Sequence, residues 1–172
     1  MVARITMAKR TEAANLGPTL ARAEELSREM AALVDQDTEA FLEVMSACRL
    51  PKGDPGRPGA VQAALRRAAE VPLEVARRSV EVLGLARLVV EGGIPSARTD
   101  AAVAVLMARA ALEGAALNVL VNLGALKDRE FTGKTVREVA ELREKGQEAA
   151  TLLDAVLAGL VEKLRDIKEG LE

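Results

Sequence analysis

The sequence predicts an all-α fold, a bundle of about five to six long helices forming a single domain over residues 1–172. Three observations predict it. Ala, Leu, Glu and Arg dominate the 172 residues while alternating β-branched stretches are scarce. Gly and Pro fall mostly between long segments and punctuate them. Apolar residues within the segments recur at steps of three and four, the spacing of a helix face packed on other helices.

The elements follow in order. A short helix covers roughly Val2 to Ala14 and is interrupted at Leu16-Gly17-Pro18. Pro18 suits the first turn of a long second helix running to about Arg49, where Pro51 disfavours continuation. KGDPGRPG is then a linker. Ala60 to Glu70 reads as a shorter helix, Pro72 kinks or restarts it, and Leu73 to Glu91 continues to a stop at Gly92-Gly93. Thr99 or Asp100 caps the next helix, about Ala101 to Leu126, which is apolar nearly all round and carries Arg109 and Glu113 as its charges. Those charges, with Asn118 and Asn122, are costly in lipid, so a buried bundle helix or an oligomer interface is expected rather than a membrane span. The last helix spans about Gly133 to Lys168.

Composition narrows the chemistry. With 24 Lys+Arg against 26 Asp+Glu and only Phe41 and Phe131 aromatic, the chain has neither a basic footprint nor a stacking platform for nucleic acid. The absence of His removes imidazole-assisted nucleophiles and the usual zinc sites, so no metal is expected and catalysis falls to carboxylates, amides, Lys, Arg or backbone. The single Cys48 reads as a small buried hydrophobe. MVARITMAKRTEAAN has too short an apolar run for a signal peptide, so a soluble cytoplasmic protein is expected.

Polar residues inside apolar surfaces are the candidate functional groups. Leu20, Ala23, Ser27, Met30, Val34, Phe41, Val44 and Cys48 form a seam with steps of three and four, and Asp37 occupies one slot in it. A buried carboxylate must be paired, hydrogen-bonded or protonated. The alternatives are a structural Asp and a carboxyl poised for proton transfer. Asp35 points about 200° away round the helix and reads as solvated. Asn118 and Asn122 share a face beside Ala111, Gly114 and Ala115, either bonding across a helix pair or offering neutral donors and acceptors to a heterocycle. Arg49 and Lys52 bracket a helix end, where they cap carbonyls or capture a carboxylate ligand.

Four blocks, VDQDTEAFLEVMSACRLPK, EVPLEVARRSVEVL, GIPSARTDAAVAVL and LNVLVNLGALKDREF, together resemble the cyclodeaminase domain of formiminotransferase-cyclodeaminase and the related methenyltetrahydrofolate cyclohydrolases. The resemblance runs from Met1 to about Phe131. It implies a homodimeric helical bundle that takes a tetrahydrofolate one-carbon adduct as substrate, with no bound cofactor. It maps the catalytic acid/base onto Asp35 or Asp37, between which the seam selects Asp37. Lys52, Asp100, Asn118 and Asn122 become candidate binding residues, joined by Arg49 and Lys9 as cations for an anionic part of the ligand. In cyclodeamination N10 attacks the formimino carbon and ammonia leaves; in cyclohydrolysis water attacks the methenyl carbon. One carboxyl can move the proton in either. The family's Pro-Gly-Gly-Gly-Ser helix entry does not occur in this sequence, so weaker folate binding than in relatives carrying it is expected, and a non-catalytic helical dimer is the alternative reading.

Overall fold

The computed structural model describes residues 16–92 and 98–169, which form five helices. They are α1 (Gly17–Arg49), α2 (Arg57–Gly92), α3 (Arg98–Leu123), α4 (Arg129–Glu148) and α5 (Ala150–Glu169). The predicted helix at Val2 to Ala14, and with it Lys9, lies outside the described residues.

The bounds of α1 follow from its prolines. Pro18 sits in its first turn, and Leu50 takes an extended conformation (φ −56°, ψ 144°) ahead of Pro51, so the helix stops at Arg49. Its buried residues are Thr19, Leu26, Leu33, Ala40 and Ala47, a strict repeat of seven. Leu33 and Ala40 pack on Ala68 and Val71 of α2. This stripe lies beside the expected seam. Phe41 is 61% exposed, Val34 is equally open, and Cys48 is exposed rather than buried. Asp37 is therefore exposed in the isolated chain as well.

Helix α2 is the centre of the bundle and is continuous through Pro72, with no restart. It begins at Arg57, three residues earlier than expected, because Pro58 fits a helix's first turn instead of ending a linker. Proline removes the N–H that would bond the carbonyl four residues back, so Ala68 should be left with an unpaired oxygen. The Asn122 side chain of α3 supplies the missing donor, its Nδ2 donating to the Ala68 carbonyl at 2.7 Å. A tertiary partner thus repairs the break that the local sequence predicts.

The main core joins α2 (Leu73, Leu83), α3 (Val105, Leu112, Val119) and α4 (Val139, Leu142). Gly146 lets α4 approach closely, since a Cβ there would collide with the Leu112 side chain. Because α3 is already helical at Arg98, Thr99 and Asp100 lie within its first turn rather than at its cap, and Asp100 meets the positive end of the dipole. The predicted last helix is two helices. Asp128 caps α4 by accepting the Phe131 N–H at 2.9 Å, and α4 and α5 are separated at Ala149, where the Thr151 hydroxyl donates to the Glu148 carbonyl at 2.7 Å.

Candidate functional site

Three helices build a groove of about 420 Å³. Val34 and Asp37 come from α1, Pro72 and Val75 from α2, and Gly114 and Asn118 from α3. Their placement follows from helix periodicity. Asp37 lies one turn from both Leu33 and Ala40, so the α1–α2 contact holds it at the edge of the buried stripe. Asn118 precedes buried Val119 and lies on the rim of the α3 face that packs on α2. A carboxylate and an amide therefore share one cleft whose other walls are mainly apolar.

Asp37 is the one ionisable side chain among the described residues lining this groove. No described cation pairs with it, so its oxygens are available to a ligand. The neighbouring Thr38 hydroxyl donates back to the Val34 carbonyl at 3.2 Å. Gly114 widens the groove, because a Cβ added there would meet nothing within 4 Å.

The other candidates are distributed differently. Asp35 is exposed on α1 and does not line the groove. Asn122 lies one turn beyond Asn118 but is engaged with Ala68. Arg49 and Lys52 are exposed at the far end of α1, with Arg49 about 18 Å from Asp37 along the axis. Asp100 belongs to a separate, largely apolar groove of about 460 Å³ with Leu20 and Leu26 of α1 and Val89 of α2. Sequence reasoning missed Pro72 and Val75 as the groove floor. Gly114, which the sequence places beside the two asparagines, lines the groove and faces open space.

A larger groove of about 580 Å³ lies between α2 and α4, and both of its arginines are already engaged by carboxylates. Arg66 bonds Glu70 at 3.0 Å and Asp128 at 3.3 Å, and stacks 4.3 Å from the Phe131 ring centroid. Arg77 bonds Glu138 at 2.6 Å and Glu74 at 3.0 Å. The guanidinium of Arg77 holds the Glu138 carboxyl below its ordinary range, against an opposing effect of burial. Arg66–Asp128 and Arg77–Glu138 tie α2 to α4 and its cap, while the Glu70 and Glu74 pairs lie within α2. Unpaired Asp37 is the better candidate for chemistry although its groove is smaller.

The family model described as formiminotransferase-cyclodeaminase matches residues 1–141. The chain belongs to that family. It is 39% identical over 149 residues to the methenyltetrahydrofolate cyclohydrolase of Methylorubrum extorquens, covering 83% of this chain and 72% of that one. It is 32% identical over 133 residues to the formimidoyltransferase-cyclodeaminase of Gallus gallus, covering 75% of this chain but only 25% of that longer protein. Its fold matches the crystal structure of formiminotetrahydrofolate cyclodeaminase from Thermotoga maritima with a TM-score of 0.81 at 27% identity, covering 94% of this chain and 80% of that one. The family's named relatives are thus enzymes of folate one-carbon metabolism, and the all-α architecture is that of a cyclodeaminase.

Proposed function

We infer that this family member acts on a tetrahydrofolate one-carbon adduct as a methenyltetrahydrofolate cyclohydrolase or a formimidoyltetrahydrofolate cyclodeaminase, with Asp37 as general acid/base. The observation that carries this reading is the meeting of unpaired Asp37 with Asn118 in one cleft. In ring hydrolysis the carboxylate accepts a proton from water attacking the methenyl carbon and returns it to the ring nitrogen whose bond to that carbon breaks, leaving a formyl group on the other nitrogen. In cyclodeamination the same group protonates the departing nitrogen, which leaves as ammonia, and takes up the proton that N10 sheds on closing the ring. The Asn118 amide offers both a donor and an acceptor to the heterocycle, and Val34 and Val75 offer apolar walls. Arg49 and Lys52, at the far end of α1, suit the carboxylates of an extended ligand whose reacting end lies at Asp37. The hydrolytic reading is favoured by the 39% identity to a cyclohydrolase over most of this chain.

A homodimer completes the proposal. The outer face of α3 exposes Leu106, Met107, Leu117 and Val121, and the adjoining face of α1 exposes Val34 and Phe41. Apolar surface of this kind beside a cleft favours a second copy. Purified protein should sediment as a dimer at micromolar concentration and discharge the methenyl absorbance of 5,10-methenyltetrahydrofolate or release ammonia from 5-formimidoyltetrahydrofolate. A protein that does neither, and whose melting temperature no folate shifts, would leave the non-catalytic helical dimer as the better account.

A further inference from the structure

Asn122 stands in the apolar helix one turn past Asn118, yet its amide is turned to the backbone of α2 and not to open solvent. The bond it makes is unusual in what it replaces. Ala68 is four residues before Pro72, so its carbonyl is the one that an interior proline strips of its helical partner. Asn122 Nδ2 reaches that oxygen at 2.7 Å. Pro72 is itself buried and forms part of the floor of the Asp37–Asn118 cleft. One proline therefore shapes the cleft and creates the attachment point for the helix that forms its opposite wall.

Resting on the catalytic reading above, we propose that Pro72, Ala68 and Asn122 form a lock that sets the rotation of α3 so that Asn118 faces Asp37. Asn122 is a positioning residue and not a ligand contact. The neighbouring cross-links support this. The Gln62 side chain of α2 donates to the Ala125 carbonyl at 3.1 Å and accepts the Lys127 N–H at 2.7 Å, pinning the chain just beyond α3. The end of α3 is thus held at two places by side-chain amides, and the one nearer the cleft depends on a carbonyl freed by proline. Without that bond, Asn118, only about 6 Å away along the axis, loses the constraint that aims it across the cleft.

A double-mutant cycle on the full chain tests the lock, comparing wild type, Asn122→Ala, Pro72→Ala and the double variant. Pro72→Ala restores an N–H that can satisfy the Ala68 carbonyl, so the effect of removing Asn122 should depend on whether the proline is present. With Pro72 in place, Asn122→Ala should lower the melting temperature by about 4–8 °C and reduce turnover of 5,10-methenyltetrahydrofolate about tenfold, mainly in kcat. In the Pro72→Ala background, the same change should cost less than about 2 °C and about twofold in turnover. Asn122→Asp, which keeps the shape but has no donor when ionised, should behave as Asn122→Ala. Equal losses in both backgrounds, or a loss confined to KM, would overturn the lock and make Asn122 a direct contact. Should Asn122→Ala fail to fold, folding of the double variant supports the lock and its failure rejects it. If the wild type turns over no folate, the melting half of the cycle still decides the lock, and only the catalytic reading falls.

Discussion

The two faces of α3 are both apolar, but the chain treats them differently. The inner face buries Val105, Leu112 and Val119 against α2 and α4, none more than 1% exposed. The outer face leaves Met107 69%, Leu117 65% and Val121 77% exposed. Helix α1 repeats the contrast, with Leu26 and Leu33 covered and Val34 and Phe41 open. The functional candidates Asp37, Gly114 and Asn118 lie where the covered faces give way to the open ones. The inner faces hold the fold; the boundary between faces provides the chemistry.

Substitution at that boundary should have the largest effect. Asp37→Asn should reduce turnover of a methenyl or formimidoyl folate by about a hundredfold or more, because an amide keeps the shape but cannot exchange the proton. Stability should change little, since the group is exposed and unpaired. Asp35→Asn, outside the cleft, should be the milder change. Steady-state assays of both variants, with melting curves, decide the ranking, and the reverse order would transfer the proton to Asp35.

The inner and outer faces should fail in different ways. Leu112→Ala removes a side chain that is 1% exposed and should cost about 2–5 kcal/mol in denaturant unfolding. Val121→Glu, at an open position, should leave the fold intact and shift sedimentation from dimer to monomer. If Val121→Glu remains dimeric, the outer face of α3 is not the interface. A gentler probe of the cleft is Gly114→Leu. The added side chain begins in space empty of its own chain, and Leu is the better helix former, so the melting temperature should hold or rise while folate affinity falls about tenfold.

This contrast also explains which features are legible in the sequence. The all-α class and the limits of α1 can be read there because Pro18 and Pro51 act locally. The continuity of α2 cannot, because the donor that repairs Pro72 comes from Asn122, 54 residues away. Two apolar stripes run side by side on α1, and spacing cannot say which one the chain covers. Spacing alone therefore points to the Val34–Phe41 stripe as the core, whereas Leu26 and Leu33 are the covered residues. Asp37 and Asn118 are recognisable as polar intrusions in apolar helices, but their meeting depends on how α1 and α3 both pack on α2. Asp128 carries a readable cap signal that Gly133 obscures, whereas Ala149 ends α4 without any Gly or Pro signal.

The smallest expected effect concerns the covered side of α1 and separates stability from activity by pH. Glu29 of α1 accepts Arg22 at 2.7 Å and pairs with Arg78 of α2 at 2.6 Å, while Arg22 also reaches Glu81 of α2 at 2.6 Å. The Arg22 hydrogen bond, opposed by desolvation and aided by the charges of Arg22 and Arg78, holds the Glu29 carboxyl below its ordinary value of 4.5. A folded-state value below the unfolded one means that this contribution is complete above the unfolded value and is lost as pH falls through the folded one. Glu29→Gln removes it, so the variant's melting temperature should fall less steeply than the wild type's as pH drops below the ordinary carboxyl value of 4.5. The pair is partly solvated and screened, so the difference should be small and should shrink as salt is added. Neutral-pH turnover should not change, because Glu29 does not line the Asp37 cleft. Parallel melting profiles for the two proteins across the acid range would show that Arg22 and Arg78 only neighbour Glu29 and do not tie α1 to α2.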